Sequence, residues 1–451
     1  MSAAPPSLQV EISYRQIIRI ALPISLAMLV PQLNFITNNI FLGHHSPTSL
    51  ALAAITGVYY LIFAAIGYGL NNGLQALIAR RAGENRPEEI GRIFHQGILV
   101  AMGIAAIGIL LTWFITPVVL RSVIRDQSTV ADYTHFLRIR IWGLPFLYIY
   151  QLRNALLVGT NQSKYLIIGT LAETVTNILL DYLLIFGKWG FPELGFNGAA
   201  VASVIAEFTG MFVIYLVIRK KGISQRFGLF KKFGMDTVRL KQVLSMSAPL
   251  IFQHAISIMS WWFFYLLIER NTNQMDLGIS NTMRNLFGLF GVVSWAFAAT
   301  SNAMVSNIIG QGKKDQVISL INRIIHLSSG FALFVFVLLN LFPITFISMF
   351  GQDTRFAAES IPVIRVVSTA MLLMSIGTVW LNAVTATGNS RITFLIEFVA
   401  IVLYCTYVYL VMEVYQLSLS IGWMSEWLYW TSLFTLSFFY IRSGKWKSKK
   451  L

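Results

Sequence analysis

The chain carries one hydrophobic pattern twice, and the two copies lie about half a chain length apart. Three short anchors occur in the same order in each copy. They pair Ala21-Leu22-Pro23 with Ser247-Ala248-Pro249, residues 77–83 with residues 305–312, and residues 154–161 with residues 382–389. Membrane proteins built from two similar halves usually bind a ligand between them, because rocking of the halves opens the cavity to alternate sides. The duplication therefore predicts two related bundles.

The composition places both copies in a bilayer. Of 451 residues, 56% are hydrophobic and only 12% are charged, and the mean hydropathy is +0.67, far above that of a soluble domain. Six segments contain no Asp, Glu, Lys or Arg and exceed the roughly 18 residues of a spanning helix. These are residues 20–43, 46–79, 242–268, 285–312, 327–352 and 366–390.

Six further apolar segments are shorter or carry one or a few charges. They lie near residues 93–118, 135–158, 165–187, 197–218, 392–412 and 421–441. The runs are continuous rather than alternating, which favours helices over a barrel, because a helix satisfies its own backbone groups in hydrocarbon. We therefore predict an all-α integral membrane protein with twelve transmembrane helices, six in each half.

Basic residues account for a net charge of +15, and they cluster on one side of this topology. If both termini are cytoplasmic, the basic turns after the second, fourth, eighth and tenth helices, the central connection and the tail all face inward. This is the positive-inside rule, and it explains the high pI without a polyanionic ligand. We expect a multi-pass protein of the cell (inner) membrane with both termini cytoplasmic. An RNA-binding face is the competing interpretation of the central connection; we expect no nucleic-acid partner.

The same connection sets the predicted domain boundaries. We predict an N-terminal six-helix bundle over 1–221, a basic cytoplasmic linker over 222–241, and a C-terminal six-helix bundle with a basic tail over 242–451. The polar start of the chain precedes an apolar run too long for a signal peptide, so we expect a retained first helix. We expect the chain to act as a monomer.

The sequence motifs give little support for an enzyme or a metal site. The single cysteine, Cys405, excludes an intramolecular disulfide or a thiolate cluster. No HExxH, GxSxG or paired-aspartate motif occurs among the helices. We therefore expect no enzyme activity and no cofactor.

Prolines lie within the first helix of each half, at Pro23 and Pro249, and Pro31 follows further along the first helix. A proline frees a backbone carbonyl and leaves a bendable point, which membrane helices tolerate where neighbours satisfy that carbonyl. The sequence leaves open whether these prolines gate the protein or form static kinks.

A polar stripe runs along the apolar segment 165–187. Its members recur at helical spacing and share one face. They are Thr170, Glu173, Thr174, Asn177 and Asp181. A carboxylate at the centre of a bilayer costs roughly 2.5–3.5 kcal/mol, so the stripe should face a protein interior or a wet cavity. A carboxyl group whose protonation depends on the state of such a cavity is what an ion-coupled pump requires.

Each acid of the stripe has a structural alternative. Glu173 could form an ion pair with Arg138, Arg140 or Arg153 of the preceding helix, and such a pair needs no function. Asp181 has Asn177 one turn earlier, and the amide oxygen beside the carboxylate suits a proton or a small hard cation such as Na⁺. We predict no other metal site.

Further polar residues predict a cavity in the first half: Asn34, Thr37, Asn38, Asn71 and Asn72. Amides between membrane helices can also act only as interhelical contacts worth about 1 kcal/mol.

In the second half, Gln253, His254 and Ser257 supply polarity without a central acid. His254 is either a proton carrier or a packed core residue. Glu207 and Glu397 are isolated acids whose orientation the sequence leaves open.

Several of these segments together resemble the multidrug and toxic compound extrusion (MATE) family, over nearly the whole chain. Singly they are weak, but their order and spacing are specific. They are Leu22-Pro23 with residues 37–43, residues 80–84, residues 177–187, residues 195–203 and Gly310-Gln311-Gly312. The resemblance implies two six-helix bundles arranged as a V, and antiport of organic cations or other amphipathic compounds against sodium ions or protons.

The resemblance also implies ion-site roles for individual residues. One branch of the family has its ion site in the first bundle, with an Asn and an Asp that Asn177 and Asp181 match, and a hydroxyl that Ser203 matches. That branch has an aspartate in its first helix, where this chain has Asn38. The other branch uses acids of helices 7 and 10; Ser257 stands near the first, and no acid stands near the second. Coupling is therefore expected in the first bundle.

The leading hypothesis is a secondary antiporter that exports small amphipathic or cationic drugs or metabolites in exchange for H⁺ or Na⁺. A flippase for lipid-linked oligosaccharides is the alternative of related architecture. An intramembrane enzyme and a channel rank below both, because the chain lacks a catalytic motif and a channel needs no titrating carboxylate. The sequence does not identify the substrate or choose between the two ions.

Overall fold

The computed structural model of the protein describes residues 7–123, 127–229, 234–272, 274–348 and 354–449. Within these ranges the secondary structure is helical and contains no β-strand. The all-α fold class is confirmed, and the helices account for the twelve predicted spans.

The first half holds six long helices, two of which contain short irregular segments. They are α1 (Tyr14–His45), α2 (Pro47–Gly83), α3 (Pro87–Leu110, continued by π-helical Leu111–Ile115 and by Thr116–Val123), α4 (Gln127–Arg140 and Leu144–Gly159, joined by 3-10 helical Ile141–Gly143), α5 (Leu166–Phe186) and α6 (Phe196–Lys220). A short helix, Ile223–Phe227, follows α6.

The second half repeats this order. It contains α7 (Thr237–Asn271), α8 (Gln274–Gly310), α9 (Val317–Leu341, followed by Pro343–Ser348), α10 (Thr354–Ala386), α11 (Ser390–Tyr409, continued by π-helical Leu410–Val414) and α12 (Ser425–Arg442, preceded by Leu419–Trp423).

Ten helices in the described residues are long and apolar enough to cross a membrane. The two long helices outside this set are α4, which carries three arginines, and α12, which has 18 residues. Large apolar side chains are exposed along the helices, for example Phe114 at 70% and Phe439 at 65%. Such a surface is expected where lipid is the solvent.

Prolines explain where the helices depart from the predicted segments. The predicted helix 135–158 is interrupted at residues 141–143, just before Pro145, because proline has no N–H to continue the helical ladder. The predicted run 327–352 ends at Leu341 and resumes at Pro343 for the same reason. Residues 349–352 of that run lie outside the described residues.

Contacts within the chain define two compact units: Leu26–Ser247, and Met1–Ser25 with Ala248–Leu451. The boundaries lie beside Pro23 in α1 and Pro249 in α7, and both helices continue through their prolines. The predicted bundles, 1–221 and 242–451, and the linker between them stay a prediction.

The start of the chain packs on the second unit. The Asn307 side chain accepts a hydrogen bond from the Val10 N–H at 3.1 Å and donates one to the Leu8 carbonyl at 2.9 Å. The Arg323 guanidinium donates to the Ile12 carbonyl at 2.6 Å. Both Leu8 and Val10 are buried, so this segment is fixed by side chains that lie 297 to 311 residues away in sequence.

Close backbone packing fixes α6 against α5. A Cβ on Gly198 would lie 2.6 Å from the Leu184 carbonyl oxygen, so the two helices approach as only glycine allows. Helix interfaces in membranes use small residues in this way, since lipid offers no hydrophobic drive for association. The packing buries the polar face of α5 inside the first unit.

Candidate ion-coupling site

Asp181 lies on the buried face of α5, and its side chain is fully excluded from solvent and lipid, at 0% exposure. It forms no ion pair with any described residue. A carboxyl group held in this way is rare in membrane helices and usually marks an ion or proton path.

Two amides connect Asp181 to α1. The Asn177 amide donates to Asp181 Oδ2 at 3.0 Å, and the Asn34 amide donates to Asn177 Oδ1 at 2.8 Å. Asn177 and Asp181 are one helical turn apart, which is why their side chains meet. The structure therefore brings together three of the predicted residues, Asn34, Asn177 and Asp181.

Some side-chain oxygens near these hydrogen bonds lack a hydrogen-bond donor. Asp181 Oδ1 and Asn34 Oδ1 are buried and have no hydrogen-bond partner among the described residues, and Asn38 Oδ1 on α1 is in the same condition. Buried acceptors are normally paired, so each of these oxygens is a candidate contact for a proton or a cation. Among the described residues, no cluster of three or more His, Cys, Asp or Glu could hold a metal ion.

Glu173 lies two turns before Asp181 and is only partly buried. The arginine pair that was its structural alternative is not formed. Arg140 instead binds Glu207, and the Arg153 guanidinium donates to the Met211 carbonyl. Arg138 lies 4.9 Å from the centre of the Trp113 ring.

The ion pair between Arg140 on α4 and Glu207 on α6 was not found from the sequence. The guanidinium donates to both carboxylate oxygens, at 2.6 and 2.9 Å, and the Tyr60 hydroxyl bonds the same carboxylate at 3.0 Å. The Tyr60 ring lies 3.6 Å from the guanidinium carbon. The single acid of one apolar segment, Glu207, and the three arginines of another were the available signal, since buried charges in membranes pair with one another.

The structure shows the surroundings of the other predicted residues of the first unit less completely. No hydrogen bond among the described residues joins Ser203 or Asn38 to Asp181. Asn71 donates to Asn72 at 3.4 Å, and Thr37 is half-buried on α1.

The second unit corrects the expectation that it lacks a buried acid. Glu397 on α11 is 2% exposed and accepts hydrogen bonds from Ser257 at 2.5 Å, from Gln253 at 3.5 Å and from the Tyr429 hydroxyl. Glu426, at the start of α12, is fully buried. Gln253 and Ser257 therefore meet an acid, and His254 is half-buried beside Gln253 on α7. The polar residues of α7 could have predicted this contact, because polar side chains in an apolar helix need hydrogen-bond partners.

Comparison with known proteins identifies the family of this chain. The MatE family model matches residues 23–183 and 249–410, one match in each copy of the repeated pattern. The chain belongs to the MatE family. Its members are transporters, so this MatE protein is a transporter and not an enzyme.

Relatives of this MatE protein are found in distant bacteria. It is 23% identical over 448 residues to a protein of Thermotoga maritima named "Probable multidrug resistance protein NorM", which covers 96% of this chain and 93% of that protein. A Neisseria meningitidis protein of the same name is 23% identical over 352 residues, 75% of this chain and 74% of that protein.

Solved structures show the MatE fold. A MATE transporter crystallised with MaL6 has a TM-score of 0.87 at 17% identity, over 97% of both chains. A MOP superfamily transporter from Pyrococcus furiosus, described as having a binding pocket of reversed polarity, has a TM-score of 0.88 at 16% identity over the whole of both chains. The resemblance inferred from short segments is confirmed at the level of the family and the fold.

Proposed function

We propose that this MatE protein is a secondary antiporter that exports small amphipathic or cationic compounds in exchange for a proton or a sodium ion bound at Asp181. The observation that carries the proposal is a fully buried carboxyl group that has no counter-ion among the described residues. The names of the Thermotoga and Neisseria relatives support multidrug substrates.

The state of Asp181 follows from its surroundings. An ionised carboxylate taken out of water costs several kcal/mol unless charges and hydrogen bonds compensate it. Here one amide donor contacts Oδ2, and Oδ1 has no donor in the described part of the chain. Asp181 therefore carries a proton or a bound cation in this conformation, and its release requires access to water.

Helix geometry indicates which residue completes the site. Three spans lie between α1 and α5. Each successive span reverses direction, so α1 and α5 run parallel through the bilayer. Asn34 contacts Asn177, and one turn further along each helix come Asn38 and Asp181. We therefore place the unpaired Asn38 oxygen next to the Asp181 carboxyl group, with Ser203 as a third oxygen.

The oxygens of this site suit either ion. A proton on Oδ1 would donate to an amide oxygen, and Na⁺ would take the carboxylate with several neutral oxygens. Because Asn38 is neutral, the site has one negative charge, which matches the single charge of either ion.

The proposal also covers the location of the protein, its substrate contacts and its oligomeric state. The distribution of basic residues supports an inner-membrane location with both termini cytoplasmic. Half-buried Thr37, Asn71, Asn72, Gln253, His254 and Ser257 are proposed to contact substrate, and Glu173 to contribute a second carboxyl group to coupling. We propose a monomer as the transporting unit.

The test is efflux of a fluorescent organic cation from proteoliposomes in which a sodium gradient and a pH gradient are imposed separately. Wild-type protein is expected to respond to one gradient, and Asp181→Asn to lose that response. Asp132→Asn is the matched control, since it makes the same chemical change at an exposed position of the first unit.

Two results would overturn the proposal. Gradient-driven efflux by Asp181→Asn at the wild-type rate would remove Asp181 from coupling. Translocation of a lipid-linked sugar without export of the organic cation would replace the antiporter with a flippase.

A further inference from the structure

Two adjoining clefts lie at one end of the first unit, and Asp181 is not among the described residues that line them. Their volumes are about 560 and 400 Å³, and His135 and Arg138 line both. Volumes of several hundred cubic ångströms are typical of sites for small ligands. Because the clefts share two side chains, a single elongated ligand can occupy both.

The helix ends that form these clefts meet at one side of the membrane. Helix α3 ends at Val123 and α4 begins at Gln127, and α6 begins at the same side because it follows α4 by two spans. In the topology proposed above, this is the outer side. Trp142 is 51% exposed and Trp113 is 37% exposed, and tryptophan is enriched at the level of the lipid headgroups. The clefts therefore lie where headgroups meet acyl chains.

The first cleft is polar and carries more positive than negative charge. Its polar side chains come from the end of α3, from α4 and from the first turn of α6: Arg121, Asp132, Thr134, His135, Arg138 and Asn197. Among the described residues that line it, two guanidinium groups accompany one exposed carboxylate. No side chain caps the start of α6, and the N-terminus of a helix adds a partial positive charge. This balance matches a ligand with one negative charge.

The second cleft is apolar. Aromatic and aliphatic side chains of the same three helices line it: Trp113, Ile139, Trp142, Val201, Val204 and Ile205. Ile205 is 40% exposed, so the cleft opens onto the surface that faces lipid. Burial of apolar surface needs no directional contacts. The second cleft therefore suits an acyl chain.

Arg138 lies where the two clefts join, and the protein uses only part of its guanidinium. Pro117 has no N–H to donate to the Trp113 carbonyl four residues earlier, and Arg138 Nη2 donates to that carbonyl at 3.3 Å. The guanidinium carbon lies 4.9 Å from the centre of the Trp113 ring. Arg138 Nε is buried and has no hydrogen-bond partner among the described residues. These contacts orient the guanidinium and leave donors for a ligand.

Asn197 supplies an acceptor on the opposite helix of the first cleft. Its amide oxygen is buried and has no hydrogen-bond partner in the described part of the chain. Buried polar atoms are normally paired, and arginine donors are well matched to phosphate oxygens. A ligand with a phosphate group and a nearby hydroxyl would satisfy Arg138 and Asn197 together.

We propose that the two clefts bind one glycerophospholipid that has a singly charged phosphodiester and a hydroxylated headgroup, such as phosphatidylglycerol. The phosphate lies between Arg121 and Arg138, a headgroup hydroxyl donates to Asn197, and one acyl chain lies along the second cleft. Exposed Asp132 is not a ligand, and its charge disfavours a headgroup with two negative charges. The proposal goes beyond the proposed function, because the site does not involve Asp181.

The experiment is native mass spectrometry of the full-length protein in detergent micelles. Phosphatidylglycerol and phosphatidylcholine with identical acyl chains are added separately. We expect one phosphatidylglycerol molecule to bind at least about fivefold more tightly than phosphatidylcholine, which corresponds to about 1 kcal/mol, the contribution of one basic residue near an anionic headgroup. Equal binding of the two lipids would overturn the proposal.

Arg138→Gln and Arg121→Gln test the first cleft. Each variant should lower the preference for phosphatidylglycerol by about fivefold. Arg121 is exposed, so its variant tests the site even if Arg138→Gln disturbs the packing on Trp113. Arg355→Gln is the matched control, because Arg355 is an exposed arginine near the start of α10 in the second unit. A wild-type preference in both first-unit variants would contradict the proposal.

Val204→Trp tests the second cleft by filling it. This variant should bind phosphatidylglycerol more weakly than the wild type. Val175→Trp is the control, because it introduces the same side chain at a position of α5 that is 62% exposed.

Glycerophosphoglycerol, the same headgroup without acyl chains, separates a lipid site from a site for a soluble anion. We expect it to bind far more weakly than the lipid, because it leaves the second cleft without a ligand. If glycerophosphoglycerol bound as tightly as the lipid, or if Val204→Trp kept wild-type lipid binding, the ligand would not be a lipid.

The binding measurement needs no ion gradient. Loss of lipid preference in the arginine variants would leave the efflux result for Asp181→Asn unchanged, and an unaltered efflux rate in Asp181→Asn would leave the lipid result unchanged. The two proposals can therefore fail separately.

Discussion

The two units bury their acids in different ways. In the first unit, Glu207 has a cationic partner, Arg140, and a tyrosine hydroxyl as well. In the second unit, Glu397 and Glu426 have only neutral donors among the described residues. A paired carboxylate can keep its charge, whereas an unpaired one in the same dielectric is stable mainly as the neutral acid. The same residue type thus has a cationic partner in one unit and only neutral partners, among the described residues, in the other.

The largest effect is expected from breaking the ion pair of the first unit. Arg140→Met leaves Glu207 buried with one hydroxyl donor and should lower the free energy of unfolding by about 3–5 kcal/mol. Glu397→Gln in the second unit should cost less than about 1.5 kcal/mol, because its neutral donors can bond an amide. Thermal unfolding in detergent compares the two.

The double variant Arg140→Met, Glu207→Met serves as the control for this prediction. It removes both charges and should recover most of the lost stability. Equal losses for Arg140→Met and Glu397→Gln would contradict the distinction between the units.

Close helix packing should be equally demanding in both units. A Cβ on Gly198 would lie 2.6 Å from the Leu184 carbonyl oxygen, and one on Gly377 would lie 2.8 Å from the Trp430 carbonyl oxygen. Backbone atoms cannot move aside as a side chain can, so each Gly→Ala change should cost about 1–3 kcal/mol. Gly330→Ala in α9 has no atom within 4 Å of the new Cβ and should be neutral or slightly stabilising. A cost in only one unit, read by the same unfolding assay, would show that the repeat is not equivalent in packing.

Adding a charge at the first-unit site should change its ion preference. Asn38→Asp adds a second carboxyl group at the position that we propose to lie next to Asp181. We expect sodium-driven efflux to rise on the order of tenfold, which is a coupling change of about 1.4 kcal/mol. Asn39→Asp is the control, because the next residue on α1 points about 100° away. An equal rise in both variants would indicate a general effect of negative charge.

Local features of this site were predictable from the sequence. Asn177 and Asp181 are one turn apart on a single helix, so their contact follows from helical geometry alone. The twelve spans follow from segment length and hydropathy. Prolines interrupted α4 and α9 within the predicted segments. The mean hydropathy of a segment does not reveal such a break, because it depends on one residue.

Long-range pairings were not predictable in the same way. Arg140 and Glu207 are 67 residues apart, and either could have met another charge. Glu426 lies in the predicted segment 421–441, and its burial depends on how α12 packs on α11 and α10. The polar stripe of α5 predicted that Asp181 faces the protein interior. The partners of a buried acid depend on the assembled helices, and a single segment does not identify them.

The smallest expected effect concerns the first turns of the two helices that begin the repeat. The Arg239 N–H donates to Asp236 Oδ1 at 3.1 Å, and the Gln16 N–H donates to the Ser13 hydroxyl oxygen at 3.1 Å. The bond from the Arg239 backbone, aided by its guanidinium, holds the pKa of Asp236 below its ordinary value. Stability from this cap is therefore fully present above the ordinary aspartate pKa of about 4 and is lost as the pH falls through the lower pKa of the folded protein.

The comparison uses Asp236→Ser and Ser13→Ala. The first keeps a capping oxygen without a titrating group, so unfolding temperatures measured from neutral to acidic pH should fall less steeply for Asp236→Ser than for the wild type. Ser13→Ala removes a cap that does not titrate and should lower the unfolding temperature by the same amount at every pH. If Asp236→Ser followed the wild-type acid profile, the Asp236 carboxylate would contribute nothing to α7, and the two helix starts would be equivalent.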